Sequence, residues 1–171
     1  MNAINHWFAR WQVRGLLVLG RREAALEQLD LMLLADPSDV YALATRAHVL
    51  AEQGNKPGAL QALQRLVELQ PDRSAHWFNL GFLSEEMGQL EAAEAAFRRA
   101  TEIDPKLDRA WYGLALSLIR QRRFDEAVTA LRKNTELQPM SPYGWYQLAR
   151  VHVDRQEPDE AAKIIRHLRK F

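Results

Sequence analysis

The sequence contains no cysteine among its 171 residues. This absence excludes disulfide bonds, catalysis by a thiol nucleophile and zinc sites built from cysteine thiolates. It does not distinguish a reducing compartment from an oxidising one, because a chain without cysteine is compatible with both.

Long apolar segments are also absent, since no run approaches the roughly 18 residues of a membrane-spanning helix. Near the N-terminus the sequence GLLVLG occupies residues 15–20 and is followed by Arg21 and Arg22. The apolar core of a signal peptide needs about 7–15 residues and a small-residue cleavage site, and this stretch has neither. We therefore interpret it as part of a first helix and expect a cytoplasmic protein.

Neither sign of charge is in clear excess: Lys and Arg total 23, Asp and Glu total 22, and the net charge is +1. Such a total predicts no general affinity for nucleic acid or for acidic membranes. Basic residues do cluster at 120–123 and at 166–170. Cations at the C-terminal ends of helices account for both clusters, so we predict no nucleic-acid binding.

The usual signatures of catalytic sites are missing. No two of the five histidines have the i, i+4 spacing of a helical metal pair, there is no H-E-x-x-H motif, and no glycine-rich phosphate loop occurs. Adjacent carboxylates at 85–86 and 125–126 point in different directions if they lie on helices. These absences predict a protein that is not an enzyme and that carries no cofactor or metal.

What the sequence does have is a repeat with a period of 34 residues. Proline, tryptophan, glycine and alanine each recur in register with that period. The columns are Pro37, Pro71, Pro105 and Pro139; Trp77, Trp111 and Trp145; Gly20, Gly54 and Gly88; and Ala25, Ala59, Ala93, Ala127 and Ala161. Four independent columns on one period do not arise by chance, so the chain is predicted to be built from repeated units.

The clearest unit runs from Ser74 to Pro105. Its aromatic, glycine, alanine and proline residues follow the offsets W-x₂-L-G-x₆-G-x₄-A-x₃-F-x₂-A-x₄-P, carried by Trp77, Leu80, Gly81, Gly88, Ala93, Phe97, Ala100 and Pro105. This pattern closely resembles one tetratricopeptide repeat (TPR), a helix–turn–helix unit of about 34 residues.

The resemblance implies an all-α fold, a right-handed α-solenoid of stacked antiparallel helix pairs in a single domain over residues 1–171. One helix pair cannot bury its apolar face alone, so stability comes from stacking on neighbours. The five repeats are predicted at His6–Asp39, Val40–Arg73, Ser74–Leu107, Asp108–Ser141 and Pro142–Phe171, the last cut short.

The repeats also predict individual helices. In the first repeat they are expected at about 5–19 and 22–34, in the second at about 38–53 and 57–70, and in the fifth the second helix is expected at about 159–170. Two departures stand out in the fourth repeat. Arg122 occupies the glycine column, and Asn134 occupies the column that holds Ala100.

In the TPR family the concave groove is lined by defined positions of the first helix of each repeat. Mapped onto this sequence, those positions are rich in aromatic residues and arginine, the types enriched at binding hot spots. The predicted groove residues are Trp7, Arg10, Arg14, Tyr41, His48, Phe78, Asn79, Phe82, Arg109, Tyr112, Tyr143, Tyr146 and Arg150. The alternative is that some of these aromatic residues pack between helices.

One TPR subfamily grips a C-terminal carboxylate with a Lys/Asn/Asn/Lys/Arg clamp across three repeats. Over the second to fourth repeats this sequence offers Ala44, His48, Asn79, Arg109 and Gly113, of which two fit. We therefore do not expect recognition of that type.

The resemblance implies a scaffold or adaptor that binds a protein or peptide segment with apolar or aromatic anchors and an acidic group. Two alternatives remain, an assembly factor or secretion-type chaperone for one client, and a non-catalytic binding subunit of an enzyme complex. The last helix carries Ile164, Ile165, Leu168 and Phe171, without the further polar helix that many members add. Self-association through that helix into a homo-oligomer is a further expectation.

Overall fold

A computed structural model describes the backbone of residues 3–168 and the side chains of residues 7–168. Within that range the chain forms ten α-helices and no strand. They are α1 (Ala3–Val18), α2 (Arg22–Ala35), α3 (Val40–Glu52), α4 (Lys56–Leu69), α5 (Ser74–Glu86), α6 (Leu90–Ile103), α7 (Asp108–Arg120), α8 (Phe124–Leu137), α9 (Pro142–Asp154) and α10 (Pro158–Leu168). The predicted helix boundaries agree with these to within about two residues.

Contacts between residues divide the chain into two compact units, Met1–Asp72 and Arg73–Phe171. In the first, helices α1 to α4 pack in order, each on the next; in the second, α5 to α10 do the same, and α5 also packs on α7. Each unit is thus a stack of helix hairpins. The single domain expected from the sequence stays a prediction.

One hydrophobic cluster of the first unit lies between α1, α2 and α3. Ala9 and Val13 of α1 meet Leu29 and Met32 of α2 and Ala42 of α3, all buried. Asp39 caps α3, because its carboxylate accepts hydrogen bonds from the backbone N–H groups of residues 41 and 42. The first turn of α4 holds Pro57, where a missing N–H costs nothing.

The core of the second unit is organised around Phe97 of α6, which is only 2% exposed. Its ring fills the space left by two glycines. A Cβ built at Gly81 of α5 would lie 2.8 Å from the ring, and one built at Gly113 of α7 would lie 2.6 Å from it. Neither position has room for a side chain. The missing side chains of α5 and α7 therefore let both helices close on one ring.

Tryptophan and proline repeat together because they are bonded to each other. The indole N–H of Trp111 donates to the carbonyl of Pro105 at 2.9 Å, and that of Trp145 donates to the carbonyl of Pro139 at the same distance. Each bond fastens the loop after one hairpin to the first helix of the next. In these two repeats, the tryptophan and the proline of the two columns are thus the two ends of the same hydrogen bond.

The fourth repeat accommodates its asparagine through a compensating glycine. Asn134 is buried, and its side-chain N–H donates to the backbone carbonyl of Asp108 at 2.9 Å. Its amide oxygen occupies the place that a Cβ at Gly144 of α9 would take. The larger residue in the alanine column is therefore matched by a missing side chain on the next helix.

The turn inside each hairpin needs a left-handed backbone. Gly20, Gly54 and Gly88 have φ values of 70°, 78° and 74°, and the same position holds Arg122 and Gln156, both at φ 61°. A residue with a Cβ in that conformation is disfavoured by roughly 1–2 kcal/mol. The last two hairpins therefore turn with local strain that glycine avoids.

We expect Arg122→Gly to stabilise the protein by about 0.5 kcal/mol. Relief of the strain exceeds the extra unfolded-state freedom of glycine, which costs about 0.4–1 kcal/mol. Gly88→Ala, which introduces a Cβ at the equivalent turn, should destabilise it by about 1 kcal/mol. Urea unfolding followed by circular dichroism measures both changes. A loss of stability in Arg122→Gly would contradict the inference that the backbone at residue 122 is strained.

Candidate functional site

A pocket of about 660 Å³ lies in the second unit among α5, α7 and α9. Its apolar walls come from Phe78 and Phe82 of α5, Tyr112 and Leu116 of α7, and Tyr143 at the start of α9. Phe82 is 52% exposed and Tyr143 is 71% exposed, although both have large apolar side chains. The pocket is therefore an open apolar surface to which successive first helices each contribute aromatic rings.

The floor of the pocket depends on the packing of Phe97. Gly113 and Phe97 both line the pocket, and Phe78 lies beside Phe97 with ring centroids 5.9 Å apart in a tilted arrangement. Because Gly113 has no side chain, the Phe97 ring comes directly against α7 at this position. The close approach of α7 to α6 thus brings a ring of the core to the lining of the pocket.

Charged groups line one part of the pocket. The guanidinium of Arg109 lies 5.2 Å from the centroid of the Phe78 ring, a cation–π arrangement. Among the described residues no carboxylate forms an ion pair with Arg109. Glu85 also lines the pocket, but its carboxylate is paired with Arg120 at 2.5 Å. Arg109 is the cation that remains available for an acidic partner.

Four polar residues of the pocket lining were missed by the groove mapping. Asp108 is the first residue of α7, Asn134 lies on α8, and Gln138 and Ser141 lie in the α8–α9 loop. The family positions cover first helices only, so α8 and the α8–α9 loop were not considered. The one sequence signal was Asn134, whose departure from the alanine column marks the place where a polar side chain reaches the pocket wall.

The predicted groove residues divide between the two units. Five of them line the pocket of the second unit: Phe78, Phe82, Arg109, Tyr112 and Tyr143. Asn79, Tyr146 and Arg150 are exposed on the same helices but do not line it. The others, Trp7, Arg10, Arg14, Tyr41 and His48, belong to the first unit. A role in binding stays a prediction for the groove residues of both units.

In the first unit, Arg10 and Tyr41 contact each other. The Arg10 guanidinium lies 5.0 Å from the Tyr41 ring centroid and 3.2 Å from a carboxylate oxygen of Asp39. The imidazole of His48 lies 3.3 Å from Glu52 on the same helix. The contacts of Arg10 hold α1 against α3, so Arg10 and Tyr41 of the predicted set have a structural role, whereas the His48 contact lies within α3. Trp7 and Arg14 remain exposed on α1.

An ion-pair network joins α6 to the α7–α8 hairpin. Glu94 is nearly buried and receives Arg98 at 2.9 Å and Arg123 at 2.5 Å, while both arginines also reach Glu126. Gln121 donates a further hydrogen bond to Glu94 at 2.9 Å. Burial acts to raise the pKa of Glu94, but these hydrogen bonds and positive charges outweigh it and lower the pKa. Arg123, part of the basic cluster 120–123, thus serves the fold.

The C-terminal hairpin has a buried histidine. His152 of α9 is held by Glu157 at 2.6 Å, and Glu157 also receives Arg155 at 2.9 Å. On α10, Ile164 packs against the core of the second unit, whereas Ile165 is exposed. Phe171, part of the predicted self-association surface, lies outside the described residues. The predicted homo-oligomer stays a prediction.

Among the side chains that the structure describes, those of residues 7–168, no three His, Asp or Glu are grouped so as to hold a metal ion. None of the helices in that range has both the length and the apolar character required to cross a membrane.

A comparison with models of protein families matches most of the chain. The family model described as tetratricopeptide repeat matches residues 12–72, 44–108, 84–143 and 112–170. The chain belongs to the tetratricopeptide repeat family. The resemblance drawn from the single unit 74–105 is therefore confirmed, and the overlapping matches extend it over nearly the whole sequence.

Solved structures agree with the TPR fold. A crystal structure of MamA is 21% identical, with a TM-score of 0.87, over 92% of this chain and 92% of that one. MamA from Desulfovibrio magneticus RS-1 is 20% identical, with a TM-score of 0.85, over 95% and 92%. YrrB, described as a TPR protein with an unusual peptide-binding site, is 18% identical, with a TM-score of 0.82, over 91% and 80%. The predicted α-solenoid fold is confirmed.

No curated protein sequence gives a significant match to this TPR chain. Membership of the family is nevertheless informative, because TPR repeats are generally non-catalytic modules that bind proteins or peptides. The chain is accordingly a protein–protein interaction scaffold.

Proposed function

We propose that the second unit binds an extended or helical segment of a partner protein, with an apolar or aromatic side chain of that segment seated in the pocket. The observation that carries this proposal is the open apolar pocket between α5, α7 and α9. Its volume of about 660 Å³ falls within the roughly 300–1,000 Å³ usual for ligand pockets. Rigid aromatic rings provide contact area at low entropic cost, which suits them to such a site.

Arg109 is placed to bind an acidic group of the partner segment beside that anchor. It is fixed over the Phe78 ring, so little freedom is lost when its guanidinium binds a carboxylate. Asn79, Tyr146 and Arg150 extend the exposed polar and aromatic surface along α5 and α9. A segment longer than the anchor would contact these residues.

We expect peptides selected from a displayed random library on the intact protein to share an aromatic or large apolar residue close to an acidic one. Phe82→Ala/Tyr143→Ala should weaken their binding at least about tenfold, because each removed ring is a wall of the pocket. Arg109→Gln should weaken binding of peptides with the acidic residue and leave neutral variants unchanged. Isothermal titration calorimetry measures these affinities.

The matched control is Leu31→Ala/Leu34→Ala, which removes two exposed apolar side chains of α2 in the first unit. Circular dichroism should give the same helix content for all variants, because every altered side chain, Arg109 included, is exposed. If selected peptides bind Phe82→Ala/Tyr143→Ala as tightly as the unaltered protein, the pocket is not the binding site.

A further inference from the structure

Helix α1 carries large apolar side chains on an exposed face. Trp7 is 67% exposed, Trp11 64% and Val18 87%, and they lie on one stripe with Arg14. At 3.6 residues per turn, positions 7, 11, 14 and 18 fall within about 60° of the helix circumference. Phe8 and Leu19 widen the stripe on one side, and both are exposed. We call these six residues the α1 outer stripe.

The opposite face of α1 is already in use. Ala9 and Val13 are buried in the core of the first unit against α2 and α3. A helix that is apolar on both faces normally has both faces covered. The α1 outer stripe is therefore a surface for an occupant, while the inner face keeps the helix attached to its unit.

The charge around this stripe has one sign. From Ala3 to Arg22 the sequence contains four arginines and no carboxylate. Arg10 pairs with Asp39 and Arg22 with Glu52, whereas Arg14 and Arg21 have no ion-pair partner among the described residues. The charge that complements the stripe is negative. In a symmetric dimer through this face, Arg14 of each copy would add positive charge with no carboxylate of α1 to balance it, so a second copy is disfavoured.

We propose that the α1 outer stripe docks on an anionic lipid bilayer, with α1 lying flat in the interface. Tryptophan favours the boundary between acyl chains and headgroups, and arginine beside it keeps its stem in the apolar layer while its guanidinium reaches lipid phosphates. Helices with apolar rings and basic residues bind membrane surfaces in this way.

The dimensions favour lying on the bilayer over crossing it. The 16 residues of α1 measure about 24 Å at 1.5 Å per residue, less than the roughly 30 Å of the hydrocarbon core. The buried inner face also fixes the helix parallel to the surface of its unit. Docking therefore needs no unfolding of the hairpin.

Sedimentation of the full chain with vesicles tests the proposal. We expect binding to vesicles of phosphatidylglycerol and phosphatidylcholine (~3:7), whose surface is strongly negative. Binding should be weaker at high salt, and pure phosphatidylcholine vesicles should bind little protein. Trp7→Ser/Trp11→Ser should weaken partitioning at least about tenfold. Arg14→Gln should weaken it about fivefold, the usual contribution of one basic residue at an anionic surface.

The control is Phe82→Ala/Tyr143→Ala, which alters the pocket of the second unit and should bind vesicles like the unaltered protein. The same variant tests peptide binding in the pocket. Because peptide binding and vesicle binding are measured separately, either proposal can fail without the other. Absence of vesicle binding, equal binding by Trp7→Ser/Trp11→Ser, or equal binding to neutral vesicles would each overturn the lipid assignment. So would a dimer in light scattering that Trp7→Ser/Trp11→Ser abolishes, found without vesicle binding.

Discussion

Phe97→Ala is expected to lower the free energy of unfolding by about 3–5 kcal/mol, the usual loss for truncating a buried phenylalanine. The ring is buried between two helices at positions where neither has a side chain. After truncation, Gly81 and Gly113 have nothing with which to fill the space, so a cavity remains unless α5 and α7 move together. Urea unfolding monitored by circular dichroism measures the loss.

The glycines give this prediction an internal check. Gly113→Ala places a Cβ against the ring and should cost about 1–3 kcal/mol in the unaltered protein, because a packed core does not accept an extra methyl group. In the Phe97→Ala background the same change should cost much less, since the obstructing ring is gone. A double-mutant cycle that yields no coupling would show that Phe97 and Gly113 do not pack as described.

Much of this fold could be predicted because its repeat is local. Each helix begins and ends within one 34-residue unit, so the columns of proline, alanine and glycine were enough to place the helices. The contacts of the Phe97 ring with Gly81 and Gly113 were less accessible, because they depend on which ring from another helix occupies the space that faces each glycine.

The side-chain networks were harder to predict than the helices. Asn134 was visible as a departure from the alanine column, but its fit depends on Gly144 of the next hairpin and on a carbonyl of α7. Arg123 was interpreted as a helix-end cation, whereas it pairs both with Glu126 and with Glu94, 29 residues earlier. Such pairs need the distance between hairpins, which a column of residue types does not supply.

The pocket could be predicted in part. Family positions located Phe78, Phe82, Arg109, Tyr112 and Tyr143, which line it. They could not separate Tyr112, which packs partly on the core, from Tyr143, which stands exposed. The family positions also gave no reason to distinguish the α1 outer stripe from the groove. Which side chains of a helix are exposed depends on which of its faces packs against its neighbours.

Glu94→Gln is expected to lower the free energy of unfolding by about 2 kcal/mol near neutral pH, in the range of a hydrogen bond to a charged group. The carboxylate is nearly buried and is held by Arg98, Arg123 and Gln121. The uncharged amide keeps the shape but replaces one accepting oxygen by an NH₂ group, which only donates and cannot bind a guanidinium or the Gln121 amide N–H. Glu102→Gln is the matched control, because its ion pair with Arg99 is exposed and should contribute less than about 1 kcal/mol.

The pH dependence distinguishes lost charge from lost packing. The pKa of Glu94 is lowered in the folded protein from an ordinary value of about 4.5, so the unfolded chain binds the proton more readily. The stabilisation by Glu94 is therefore complete above that ordinary value and is lost as the pH falls through the lower folded-state pKa. The difference in stability between the unaltered protein and Glu94→Gln should shrink as the pH falls below about 4.5. A difference that stays constant from pH 7 to pH 3 would mean that the loss of stability in Glu94→Gln does not come from the charge of the carboxylate.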